Sequence, residues 1–87
     1  MSQKQLEIDP QIDWLPINLS AQELGLHPSQ IRRDRGVLAE LGLIRYTRKG
    51  LYREAFECIK LFRKLVDERG RGEAIHVIGD KWNERQG

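Results

Sequence analysis

Residues 19–34 read LSAQELGLHPSQIRRD, a stretch that predicts two helices joined by a short turn. Its SAQE portion has the capping-box pattern, in which a serine hydroxyl and a glutamate carboxylate each accept the other residue's backbone N–H. Gly25 can take the left-handed conformation that ends a helix, and Pro28 suits the first position of the next one. We therefore expect a short helix over 21–24 and a second from Pro28 to about Leu41, a helix-turn-helix pattern.

The second predicted helix has an apolar stripe and a polar face. Ile31, Leu38 and Leu41 fall on one side of a helix with 3.6 residues per turn. Gly36 either lets the helix approach a partner closely or ends it early, and Gly42 is the later stop; the sequence leaves both open. With Ile31 pointing inward, the opposite face and its flanks carry Ser29, Gln30, Arg32, Arg33 and Glu40.

Residues 43–53, LIRYTRKGLYR, follow the helix pair and predict a basic β-hairpin. Tyrosine, threonine and leucine favour short strands here, and Gly50 after Lys49 supplies the positive φ that a tight turn needs. A basic hairpin placed after a helix-turn-helix is a wing. The tip lysine has a second interpretation, because lysines also protect edge strands from pairing with other chains.

Two further helices are predicted in the C-terminal half. Apolar residues recur at helical spacing over 54–69 and again over 73–82, with polar residues between them. Gly70 and Gly72 separate the two helices. Residues 83–87 are expected to fray as a flexible tail.

The first 19 residues contain two prolines and no steady period. They predict an arm with at most one helical turn around 11–14, which Trp14 and Leu15 dock on the core, since Pro16 disfavours a helix through the residue before it. The expected class is mainly α with a small β-hairpin, a winged helix-turn-helix. It consists of an arm over 1–19, one domain over 20–82 and the tail over 83–87.

Length and composition exclude several classes of protein. A chain of 87 residues fits one domain with a modest core, and no apolar run approaches the roughly 18 residues of a membrane span. The single cysteine, Cys58, cannot form an internal disulfide, which favours a reducing cytoplasm. One cysteine and two scattered histidines provide no zinc-ligand set, and we find no nucleophile or phosphate-loop motif. We therefore expect no enzyme, no metal and no cofactor.

The charges are unevenly distributed, although the net charge is only +2. Residues 1–19 sum to −2 and residues 54–87 to zero, so residues 20–53 carry +4, from seven basic and three acidic side chains. A basic block inside a nearly neutral protein is typical of a surface that binds nucleic-acid phosphates. A solvated charged face gives the same count and is the alternative interpretation.

The helix-turn-helix stretch over 19–34 resembles that of winged-helix transcription regulators. Its IRRD core, followed by LGLI over 41–44, is most similar to the DeoR and Rex types, while LYR over 51–53 and the apolar spacing over 56–75 resemble the MerR and excisionase types. Both resemblances imply DNA binding. The 87 residues contain neither the dimerising coiled coil of MerR-type proteins nor the ligand domain of the DeoR and Rex types. We therefore expect no small-molecule effector.

The predicted partner is double-stranded DNA. A recognition helix over 28–41 would enter the major groove from its N-terminal end, with the wing over 45–53 on the backbone. Arginine can grip guanine, and glutamine adenine, through two hydrogen bonds each. In the alternative, Arg32 or Arg33 pairs with Asp34 or Glu40 on a solvated helix. The predicted DNA-contacting residues are Ser29, Gln30, Arg32, Arg33, Arg45, Arg48, Lys49 and Arg53.

A sequence-specific DNA-binding protein, a small transcriptional regulator, is thus the predicted function. An excisionase-like or plasmid-maintenance factor, and a winged-helix module that binds protein instead of DNA, remain alternatives. Specific protein–DNA interfaces bury roughly 1,000–2,500 Å² of protein surface, more than one small domain readily supplies. We therefore expect a homodimer or a cooperative oligomer on DNA, with Trp14 and Trp82 as exposed candidates for its contacts.

Overall fold

The computed structural model describes residues 14–45 and 50–86, and all of their side chains except those of Trp14 and Gln86. The described chain is mainly helical and contains one small antiparallel sheet, which confirms the expected class at this coarse level. Its elements are strand β1 Trp14–Pro16, helices α1 Ile17–Leu24 and α2 Pro28–Glu40, strand β2 Gly50–Tyr52, and helices α3 Arg53–Arg69 and α4 Arg71–Gln86.

Helix α1 begins at Ile17, four residues before the predicted start. The predicted capping box is wrong, because the buried Ser20 hydroxyl donates to the carbonyl oxygen of Pro16 at 3.0 Å and lies within the helix. Ile17 and Ala21 are buried in the core, and their burial stabilises the added turn. Gly25 ends the helix at a φ of 69°, as predicted.

Helix α2 has the predicted start and nearly the predicted length. His27 caps it, since its ring Nδ1 accepts the Ser29 N–H at 3.1 Å and its backbone N–H donates to Gln30 Oε1 at 3.2 Å. Gly36 lies inside the helix, which continues to Glu40, so the early end is excluded. The chain leaves the helix through Gly42, which has a φ of 76°.

Strand β2 pairs with the segment before α1, and not with residues 43–45, which are not strand. The register places Trp14 opposite Tyr52, Leu15 opposite Leu51 and Pro16 opposite Gly50. The predicted pairing of β2 with a first wing strand, and the predicted weak structure at residue 14, are therefore wrong for the described residues. Residues 46–49, which would form the wing tip, and residues 11–13 lie outside the described ranges.

Gly50 is required by this sheet for a reason other than the predicted positive φ. Its φ lies outside the left-handed region. A Cβ built on Gly50 would collide with the carbonyl group of Leu15 and lie 3.0 Å from the Cα of Pro16. Glycine at this position therefore allows the two strands to approach, as glycines within strands often do.

Helices α3 and α4 form the largest packed pair and support the N-terminal half. Gly70, with a φ of 89°, ends α3 as predicted. Gly72 does not separate the two helices as predicted, because α4 already begins at Arg71. Helix α4 then continues through residues 83–86, which were expected to fray. The start of α4 could not be predicted from the sequence, because Gly70 and Gly72 weaken the helical pattern there.

The core joins both halves of the described chain. Trp82 is 6% exposed and packs in this core, so the prediction that it is an exposed dimer contact is wrong. Residues 14–19, assigned to an arm from the sequence, form β1 and the first residues of α1. The largest fully buried apolar side chains are those of Phe62, Ile31, Leu38, Leu51, Ile59 and Ile78.

Candidate nucleic-acid interface

Helix α2 presents a polar face to solvent and buries the opposite face. Ile31 and Leu38 are fully buried, as the apolar stripe predicts. Leu41, placed on the same stripe, is instead 45% exposed because α2 ends at Glu40. The side chains on the outward face are Ser29, Arg32, Arg33 and Glu40, all of them exposed, with Gln30 half-buried beside them.

The helix cap restrains two of the predicted contacts. Ser29 Oγ lies 2.9 Å from His27 Nδ1. Since that ring nitrogen already accepts the Ser29 N–H, it acts as an acceptor and the hydroxyl donates to it. The oxygen of the Gln30 side chain accepts the His27 N–H. A bidentate contact with adenine needs this same oxygen, so the cap weakens Gln30 as a base reader.

Arg32 and Arg33 are the exposed cations of α2. They lie in its first half, the part of a recognition helix that reaches deepest into a major groove. The structure gives neither of them a partner in Asp34, because that carboxylate is buried and pairs with other arginines. This excludes Asp34 as an ion-pair partner of the two arginines and leaves Glu40 as the other partner named in that alternative.

The predicted wing is described only in part. Arg45 Nε donates to Glu54 Oε2 at 3.1 Å, and the Arg45 guanidinium lies 4.2 Å from the centre of the Tyr52 ring. The side chain is still 66% exposed. Arg53 is exposed at the first position of α3. Arg48 and Lys49 lie outside the described residues, so their predicted DNA contacts stay predictions.

The structure contains an ionic cluster that the sequence interpretation missed. Asp34 is 0% exposed and accepts from Arg71 Nη1 at 3.1 Å and from Arg63 Nη1 at 3.5 Å. Helices α2, α3 and α4 each contribute one of these residues. The burial of Asp34 could be predicted in part from the sequence, because Asp34 follows Ile31 by three residues and so lies on the inward side of the helix.

No protein-family model, curated protein or solved structure matches the chain. The candidate interface therefore depends on the chain's own residues and geometry.

Other kinds of site have little support in the described residues. Burial raises the pKa of the Cys58 thiol to about 12, an effect that the nearby Arg85 charge partly offsets. Such a thiol is a core group and a poor nucleophile. Within residues 14–45 and 50–86, no three His, Cys, Asp or Glu side chains are grouped so that they could hold a metal ion. No helix in these ranges has the length and apolar character needed to cross a membrane.

Proposed function

We propose that this protein binds double-stranded DNA in a sequence-specific manner, as a small transcriptional regulator, with α2 in the major groove. The observation that carries the proposal is the exposed pair Arg32 and Arg33 on the outward face of a helix whose other face is buried. A short helix, α1, and a turn through Gly25 precede this helix, as in a helix-turn-helix.

The dimensions of the duplex are compatible with this arrangement. The major groove of B-DNA is about 12 Å wide and admits an α-helix, whose first turns then face the base edges. Arg33 points most directly away from the buried side and is the best candidate to grip a guanine. Arg32 lies at the flank, where it can reach either a base or a phosphate.

The charges around α2 support the same orientation. Residues 20–53 carry a net charge of +4, which favours the approach of a polyanion. Arg45 and Arg53 lie at the two sides of the segment 46–49, to which Arg48 and Lys49 belong. We assign these four residues to contacts with the DNA backbone, which fix the register of a protein but carry no sequence information.

We also propose that the protein binds DNA as a homodimer or a cooperative oligomer, because one small domain covers little DNA. Trp82 is buried, so the contact between protomers must be made by other residues. Sedimentation velocity of the free protein and of its DNA complex tests this. A complex that contains one protein per duplex at micromolar concentration contradicts the oligomer but leaves DNA binding intact.

The direct test of DNA binding begins with a selection from random oligonucleotides, which supplies a duplex of defined sequence. Fluorescence anisotropy then measures its affinity at several salt concentrations. Arg33→Ala should weaken binding to the selected duplex by about 1–3 kcal/mol and relax the preference for one base. Arg85→Ala, which removes an exposed charge near the end of α4, is the matched control. The proposal fails if no duplex binds at low salt, or if Arg33→Ala has no more effect than the control.

A further inference from the structure

The cluster around Asp34 has more positive charge than the carboxylate can neutralise. Two guanidinium groups, those of Arg63 and Arg71, share this one buried acid. The three side chains together carry a net charge of +1. An uncompensated charge is costly to remove from water, which favours a second anion where the two arginine side chains reach the surface.

Both arginines have donors that Asp34 does not use. A guanidinium has five N–H donors, and the hydrogen bonds to Asp34 come from a single nitrogen of each. The Arg71 Nη2 atom is buried and has no hydrogen-bond partner among the described residues. The two side chains remain 22% and 29% exposed, so part of each is accessible from solvent. The buried Arg71 Nη2 atom is out of reach from solvent, so an anion at the open side would bind the accessible N–H donors of the two guanidinium groups and balance the charge.

The cluster lies along the flank of the proposed recognition helix. Asp34 lies on the buried side of α2, where Arg63 from α3 and Arg71 from α4 reach its carboxylate. A helix in the major groove has a row of phosphates on either side. A phosphate on the strand next to α3 and α4 would therefore lie beside Arg63 and Arg71.

We propose that Arg63 and Arg71 bind a backbone phosphate of the DNA strand that flanks α2, and that Asp34 is the positioning residue that holds both guanidinium groups. This inference rests on the proposed function and adds two contacts that the sequence interpretation did not include. Arginine suits the role because its planar fork can hold a carboxylate and a phosphate oxygen on different edges.

The test measures how strongly DNA affinity depends on salt. Each phosphate contact on B-DNA contributes roughly 0.9 to the slope of log affinity against log salt. Since the two arginines bind the same phosphate, the Arg63→Gln/Arg71→Gln double variant should reduce that slope by about this amount, and each single variant by part of it, for both selected and random duplexes. Arg85→Gln removes a charge at the opposite end of α4 and should leave the slope unchanged. Thermal unfolding of each variant sets a temperature at which all are folded.

A second measurement needs no folded Gln variant. In nuclear magnetic resonance spectra of the unmodified protein, the Nε–H signals of Arg63 and Arg71 should move when the selected duplex is added, while that of Arg85 stays in place. Arg→Lys variants, which keep the charge, assign these signals. The inference is overturned if the Arg63 and Arg71 signals stay in place, or if folded Gln variants have unchanged slopes. Arg33→Ala still tests the proposed function in either case. Absence of any duplex binding by the unmodified protein overturns both.

Discussion

Neutralising Asp34 tests whether the buried ionic cluster holds the three helices together. Asp34→Asn keeps the size of the side chain and one acceptor oxygen, so it opens no cavity but removes the charge that faces two arginines. Breaking a buried ion pair costs about 3–5 kcal/mol when the partner charge stays buried. Here the partners are 22% and 29% exposed and can be partly hydrated, which places the expected loss at about 3 kcal/mol.

The free energy of unfolding is measured by urea denaturation followed by circular dichroism. For a domain of this size a loss of about 3 kcal/mol lowers Tm by roughly 12–24 °C. Asp67→Asn, an exposed aspartate on α3, is the matched control and should change stability by less than about 0.5 kcal/mol. A loss below about 1 kcal/mol for Asp34→Asn refutes the reasoning, since the carboxylate would then be replaceable by a neutral acceptor.

A triple variant separates the charge from the packing. Replacing Asp34 by Leu together with Arg63→Met and Arg71→Met removes every member of the ionic cluster at once. Buried ionic clusters replaced by apolar groups of similar volume are often as stable as the original. The triple variant should therefore recover most of the stability that Asp34→Asn loses. If it is less stable than Asp34→Asn, packing and not charge balance accounts for the loss.

Three further predictions concern the sheet, the helix cap and the thiol. Gly50→Ala should lower the free energy of unfolding by about 3 kcal/mol, because the Leu15 backbone cannot move aside for the added Cβ. Gly79→Ala, with nothing near its added Cβ, is the control and should be neutral or stabilising in the same urea titration. His27→Ala should cost about 1 kcal/mol by removing the cap of α2, and a loss as small as that of the exposed His76→Ala would contradict the cap. Cys58, with its pKa near 12, should react with a thiol reagent at pH 8 only as fast as the protein unfolds, and labelling at the rate of a free thiol contradicts its burial.

Local signals were sufficient to predict the two long helices near the middle of the chain. Pro28 and Gly70 set ends of α2 and α3 through backbone preferences that do not depend on distant residues. The outward position of Arg33 followed from helical periodicity once Ile31 was placed inside. These features depend only on neighbouring residues, so they could be predicted from the sequence.

Long-range features could not be predicted in the same way. Strand β1 is three residues long, too short for an alternation pattern, and its partner Gly50–Tyr52 lies far along the chain. The burial of Asp34 depends on arginines from α3 and α4 that only the tertiary fold brings together. The burial of Trp82, by contrast, agrees with helical periodicity, since it lies four residues after the buried Ile78; only its assignment as an exposed dimer contact was wrong.

The pairing of β1 with β2 joins the two ends of a single loop, residues 17–49, which contains both α1 and α2. Closing a loop reduces the number of conformations open to the segment inside it, whether or not a ligand is present. The orientation of the arginine-bearing helix α2 is thus restricted in the free protein, so the proposed DNA binding would cost less conformational entropy. If the protein binds DNA as proposed, weakening the sheet should therefore reduce affinity at a distance, without changing any residue proposed to face the duplex.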